Sequence, residues 1–208
     1  MVKANPTVCI IDDDAEFRES VARLLRTIDL DLREFSSVAD FLKASPPDGP
    51  TCLVLDVRMP GRSGLELQRD LHAANRQLPI IFMTAHGDIP MTVQAMKRGA
   101  IEFLTKPFRD QDLLDAVEAG IARDRERRES ERTLELLRER FESLSARERE
   151  VMVQVTAGRL NKQIAHDMGI SESTVKVHRT NLMRKMKARS LPELSRMADA
   201  LKLHPEKP

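Results

Sequence analysis

The sequence predicts an α/β unit, a five-stranded parallel sheet doubly wound by helices, followed by a smaller all-helical unit. Three observations carry this. Apolar runs of strand length alternate with helical patterns through residues 1–122; beyond that only helical periodicity continues; and the charge changes sign along the chain. Residues 1–122 hold 14 Lys/Arg against 19 Asp/Glu, residues 123–142 hold 7 against 7, and residues 143–208 hold 13 against 7. An overall charge of +1 therefore hides an acidic domain, a neutral connector and a basic domain.

The elements follow in order. The runs "TVCII" (7–11), "LREF" (32–35), "TCLVL" (51–55), "PIIFM" (79–83) and "IEFL" (101–104) are β-rich and mostly apolar. After the first, Asp14 suits a helix N-cap, since its carboxylate can accept orphan backbone N–H bonds. Phe17, Val21, Leu24, Leu25 and Ile28 then recur at helical spacing, and Leu65, Leu67 and Leu71 do so more loosely. Strands alternating with helices require a parallel sheet covered on both faces, and such sheets collect ligands at the carboxyl ends of their strands. Leu113, Leu114, Val117 and Ile121 mark the last helical face of this unit.

"RDRERRESER" (123–132) has no apolar residue and no Pro or Gly, and its Glu/Arg pairs three or four apart favour helix. With Leu134, Leu137, Phe141 and Leu144 behind it, one long helix joining the domains is expected, its short stripe packing within the chain. Four short helices follow. "SARE" (145–148) is a capping box ahead of Val151, Met152 and Val155; Gly158 ends that helix; Asn161 caps "KQIAHDM"; Gly169 supplies a turn; Ser171 caps "ESTVKVHRTNLMRKM"; and "LPELSRMADALKL" closes the chain. Residues 161–180 fit a helix-turn-helix, with Ala165 small enough for close crossing, Gly169 in a left-handed turn and Val175 packed behind. A basic surplus on such a unit points to double-stranded DNA.

Composition removes other classes. No apolar run approaches the roughly 20 residues of a membrane span, and the N-terminus lacks the order of a signal peptide, so the cytoplasm is the expected location. Cys9 and Cys52 lie within apolar runs and read as small hydrophobes. The five histidines have no metal-ligand spacing, which argues against zinc.

Polar residues stand where the strands end. Asp12 and Asp13 follow the first strand, Asp56 the third, Thr84 the fourth, and "TKP" with Lys106 the fifth. Three carboxylates from two strands can share one hard divalent cation, most simply Mg²⁺, which offsets their repulsion. Carboxylates, a hydroxyl and an ammonium in one crevice suit phosphoryl transfer onto a carboxylate: Asp56 as nucleophile, Lys106 and the metal neutralising phosphoryl oxygens, Thr84 donating to one. Water would later hydrolyse the acyl phosphate and reset the site.

The strings "IIDDD", "VLDVRMPG", "MTAHGD" and "FLTKPF" resemble the receiver domain of two-component response regulators. The resemblance implies a CheY-like, flavodoxin-type fold with strand order 2-1-3-4-5. It implies Asp56 as phosphoacceptor, Asp12, Asp13, Asp56 and the backbone carbonyl of Arg58 as metal positions, Thr84 and Lys106 as the signalling pair, Phe103 as the switch aromatic, and a cis Lys106-Pro107 bond. The string "SARERE…VTAGRLNKQIAHDMGISESTVKVHRTNLMRKM" resembles the LuxR-type helix-turn-helix domain, and the two halves together resemble the FixJ-type regulators of the NarL/FixJ group. By position, Lys176 and Val177 are implied to face bases. Thr180 stands where relatives often carry a basic residue, Asn161, Thr174, Arg179 and Lys185 are implied phosphate contacts, and the last helix is the implied dimer face.

The expectation is a receiver (1–122), a helical linker (123–142) and a DNA-binding domain (143–208). It would not be an enzyme in the ordinary sense, but a transcription regulator that takes phosphate from a sensor histidine kinase, dimerises on promoter DNA and engages RNA polymerase. Two other readings stand at this point: a phosphatase or phosphotransferase acting on small molecules, and an adaptor whose helical end binds protein.

Overall fold

The computed structural model describes residues 4–85, 87 and 89–203. The chain forms two compact units, one up to Arg128 and one from Glu129, so the division falls inside the expected linker.

Unit one carries five strands, β1 Thr7–Ile11, β2 Asp31–Phe35, β3 Thr51–Asp56, β4 Ile80–Thr84 and β5 Glu102–Thr105. All pair in parallel in the order β2-β1-β3-β4-β5, the expected CheY-like topology. The inner strands are apolar throughout because both faces are covered. Period two then sorts their side chains. Val8, Ile10, Cys52, Val54, Ile81 and Met83 face one core, and Cys9, Ile11, Leu53, Leu55, Ile80 and Phe82 face the other. Helices α1 Ala15–Leu25 and α5 Asp110–Glu142 supply Val21, Leu25, Leu113 and Val117 to the first. Helices α2 Val38–Lys43, α3 Gly64–Ala73 and α4 Ile89–Lys97 supply Val38, Leu67 and Ala95 to the second.

Capping fixes where helices begin. The Asp14 carboxylate accepts the backbone N–H groups of Glu16 and Phe17, as expected. Ser63 and Glu66 close a reciprocal capping box on α3. One sequence expectation needs correction, and two features lay outside the sequence pattern. Ile28 lies beyond α1 in a turn, 38% exposed, so its helical spacing was coincidental. Periodicity located neither α2 nor α4: the first has only six residues, and the second presents Ile89, Val93 and Met96 outward, which blurs its apolar stripe. The charged run after residue 122 is helical, but it is not a wholly solvated stretch, because Asp124 within it is 0% exposed.

Both Asp124 oxygens are committed. Oδ2 accepts the Thr51 backbone N–H at 2.8 Å and Arg128 Nε at 2.7 Å; Oδ1 accepts Arg127 Nε at 2.9 Å and Nη2 at 2.6 Å. Arg128 also donates to the carbonyls of Asp48 and Pro47. The start of β3 is thereby fastened to α5.

Unit two is helical: α6 Ala146–Thr156, α7 Asn161–Met168, α8 Glu172–Met186 and α9 Leu191–Ala200. Its core holds Val151, Met152, Ile164, Val175, Leu182 and Leu194, joined by Leu137 and Leu144 of the expected stripe. Ser145 and Glu148 form the anticipated capping box. Asn161, however, does not cap α7. Leu160 is the cap residue, its backbone N–H donating to Gln163, and Asn161 is the first helical residue.

Candidate functional site

The carboxyl ends of β1, β3, β4 and β5 meet around a small cleft of about 200 Å³ lined by Asp12, Asp13, Asp56, Arg58, Thr84 and Lys106. Four strand ends distant in sequence are thus brought to one place by the strand order. Asp12 is 1% exposed, Thr84 1% and Asp56 6%. Lys106 Nζ sits between the two buried acids, 2.8 Å from Asp12 Oδ2 and 2.9 Å from Asp56 Oδ1. Its backbone N–H donates to the Thr84 carbonyl, and the following Lys106-Pro107 bond is cis, as the resemblance implied.

Each side chain is held from behind. The second Asp56 oxygen, Oδ2, accepts the Arg58 N–H at 2.7 Å, which leaves Oδ1 facing Lys106. Asp12 Oδ1 accepts the Asp14 N–H at 2.9 Å. Gly64 lets α3 begin hard against β3, since a Cβ there would lie 2.3 Å from the Asp56 carbonyl oxygen. Two contributors were not identified from the sequence: Phe17, whose ring lies 3.8 Å below the Lys106 ammonium, and Arg18, which donates to the Asp12 carbonyl at 2.6 Å. The helical spacing after Asp14 located Phe17 but said nothing of what it faces, and Arg18 carried no signal in the sequence.

The electrostatics follow from burial. Desolvation drives the Asp12 carboxyl above its ordinary range, against the pull of its hydrogen bond from Lys106. Burial alone would lower the Lys106 pKa, but hydrogen bonds to Asp12 and Asp56 outweigh it and hold the ammonium above the usual lysine value. A divalent cation fits this donor set. Every donor is a hard oxygen, and a buried carboxylate that resists ionising gains from a second positive charge. Among the described residues no three His, Cys, Asp or Glu side chains stand together as a preformed metal cage, and Lys106 takes one oxygen each from Asp12 and Asp56. Exposed Asp13 stands on the cleft rim. Phe103 is absent from the cleft lining; it is half-buried, with its ring 6.0 Å from that of Phe82.

In unit two, Gly169 ends α7 at φ 64°, a left-handed turn that a residue with Cβ rarely adopts, and Ser171 caps α8. Ala165 is 7% and Val175 0% exposed at the crossing. Val177 is 58% exposed, and Lys176 pairs loosely with Glu172 at 3.8 Å. Arg179 Nη1 donates to Asn161 Oδ1 at 2.5 Å, joining two expected backbone contacts into one group. Thr174 hydrogen-bonds Ser171, and the Thr180 hydroxyl donates to the Lys176 carbonyl. The sequence did not disclose that Lys185 donates to Glu148 Oε2 at 2.6 Å and to the Ser143 carbonyl, tying α8 to the start of α6.

Sheet order, acid-lysine cleft and helix-turn-helix together define a receiver coupled to a DNA-binding unit. Residues 8–118 match the response regulator receiver domain, and residues 142–198 match the luxR family of bacterial regulatory proteins. The chain belongs to the two-component response regulators and is a transcription regulator of the FixJ type. It is 52% identical to nodulation protein W of Bradyrhizobium diazoefficiens over 93% of this chain and 86% of that one. The structure of the response regulator StyR is 49% identical and covers 94% of this chain and 99% of its own, with a TM-score of 0.85. Full-length FixJ from B. japonicum is 39% identical and covers 99% of this chain and 100% of its own, with a TM-score of 0.55. No helix among the described residues is long and apolar enough to cross a membrane.

Proposed function

We propose that this regulator is switched by phosphorylation of Asp56 and then binds promoter DNA as a dimer. The observation that carries the reading is Asp56 itself, the buried carboxylate at the end of the central strand, with Lys106 2.9 Å from one oxygen.

The donor is a phosphohistidine on a sensor histidine kinase. Asp56 Oδ1 attacks phosphorus, the P–N bond breaks, and its electron pair returns to the imidazole. No base is needed, since the nucleophile is already a carboxylate. The Arg58 N–H fixes the carboxylate plane, Lys106 donates to a phosphoryl oxygen, and the Thr84 hydroxyl donates to another. Asp12, Asp13, Asp56 and the Arg58 carbonyl would hold Mg²⁺, which when bound neutralises phosphoryl charge. The new contacts draw Thr84 toward the phosphate, Phe103 follows, and the population of the receiver shifts. Hydrolysis of the acyl phosphate by water returns the site to rest.

On DNA, the amino-terminal turns of α8 enter the major groove. Lys176 donates to a guanine edge and exposed Val177 meets a thymine methyl. Asn161, Thr174 and Arg179 contact phosphates, Thr180 lies beside them, and Lys185 adds its remaining proton. A second copy docks through α9, and the bound dimer engages RNA polymerase. Incubation with Mg²⁺ and a small acyl phosphate should add one phosphoryl group, and Asp56→Asn should abolish this while leaving the circular dichroism spectrum unchanged. Mapping of the phosphoryl group to Asp12 or Asp13 by mass spectrometry would overturn the assignment.

A further inference from the structure

At the end of the sheet opposite Asp56, a cavity of about 350 Å³ opens beside Pro79 and Ile80, between the last turns of α3 and α4 and the flank of α5. Its volume falls within the range of small-molecule pockets. Five Lys/Arg residues and His72 line it, with no Asp or Glu among them. Arg127 is engaged by Asp124. The side chains of Arg76, Lys97, Arg98 and Arg123 pair with no carboxylate among the described residues, although elsewhere in this unit arginines repeatedly find acids. Cations near helix carboxyl ends are favourable, which accounts for one charge on each of α3 and α4. Four unpaired cations around one concavity exceed that.

Gln68 also lines the cavity and is 3% exposed; its Nε2 donates to the Ala95 carbonyl at 3.0 Å, while its Oε1 is buried with no hydrogen-bond partner among the described residues. Buried acceptors in folded proteins are seldom left so. Leu71, Leu78 and Pro79 supply an apolar wall.

We propose that this cavity binds a small polyphosphate anion, the cations holding the phosphates and the apolar wall packing against a ring of the same ligand. A nucleoside polyphosphate meets both features, charge and an apolar ring. Inorganic pyrophosphate meets the first alone. Seated there, the ligand would cross-link α3, α4 and α5 far from the phosphoacceptor cleft.

The test is isothermal titration calorimetry of the full chain, without divalent metal, against ATP, GTP and pyrophosphate, with amide shifts recorded by NMR. The expected result is binding of a nucleotide more tightly than pyrophosphate, with shifts centred on Gln68, Leu78 and Gly99, and about tenfold or greater weakening in Arg98→Glu/Arg123→Glu. Arg123 is exposed and Arg98 half-buried, and unchanged circular dichroism would confirm that the double variant folds. Tighter binding of pyrophosphate would leave an anion site but overturn the nucleotide. Shifts centred on residues 161–185 would assign the anion to the DNA-binding unit, and no heat at millimolar ligand would reduce the cations to helix-end charges; either result refutes the site.

Discussion

Asp124→Ala should destabilise the receiver more than any other change in the charged run. The Thr51 N–H, in a residue 1% exposed, would lose its acceptor, and a buried donor left unsatisfied costs about 1–3 kcal/mol. The Arg127 and Arg128 side chains are 25% and 32% exposed and can turn to water, so each lost ion pair adds only about 0–1 kcal/mol. Together these give about 1–5 kcal/mol, a fall in melting temperature on the order of 10 °C for a unit of this size. The chain has no Trp or Tyr, so differential scanning calorimetry is the suitable assay. Asp124→Asn should fall between the two, because one oxygen remains for Thr51. A shift below about 2 °C for the alanine variant would refute the reasoning and return Asp124 to the status of a surface charge.

Three further outcomes are expected. Lys176→Ala should cost about 1–3 kcal/mol on the operator and relax preference at one base pair per half-site, whereas Lys185→Ala should weaken operator and random DNA alike and also lower the stability of unit two; competition binding across single-base operator variants, with melting curves, separates these. Burial opposes ionisation of Glu148, but hydrogen bonds from Lys185 and Ser145 outweigh it and hold its pKa below the ordinary glutamate value; its stabilisation is therefore present above that value and lost as pH falls through it. Urea titrations of wild type and Glu148→Gln should accordingly converge in acid and diverge toward neutral pH. Cys9 and Cys52 should resist thiol reagents in the native protein, since both are buried and burial pushes the Cys9 thiol up to about 11; labelling at native rates equal to those in urea would contradict this.

Much of the receiver was legible because its signals are local. Strand ends are marked by the change from apolar run to polar residue, so the positions of Asp12, Asp56, Thr84 and Lys106 were fixed in the sequence, as were the Asp14, Ser145 and Ser171 caps. Residues that act by what they face were not legible. Phe17 reads as one more helical apolar position, and only packing brings its ring beneath Lys106. Asn161 reads as a cap, yet its carboxamide oxygen accepts from Arg179, eighteen residues away.

What the sequence determined by itself was the class of chain: periodicity set the elements, alternation forced a parallel sheet, and charge divided the two units. Tertiary structure alone decided how charges are partnered. Asp124 and Arg123 are neighbours in one charged helical run, yet one is sealed against the start of β3 and the other borders an acid-free cavity. A helix turns about 100° per residue, so adjacent charges face different surroundings, and the energy of a charge is set by those surroundings rather than by its place in the chain.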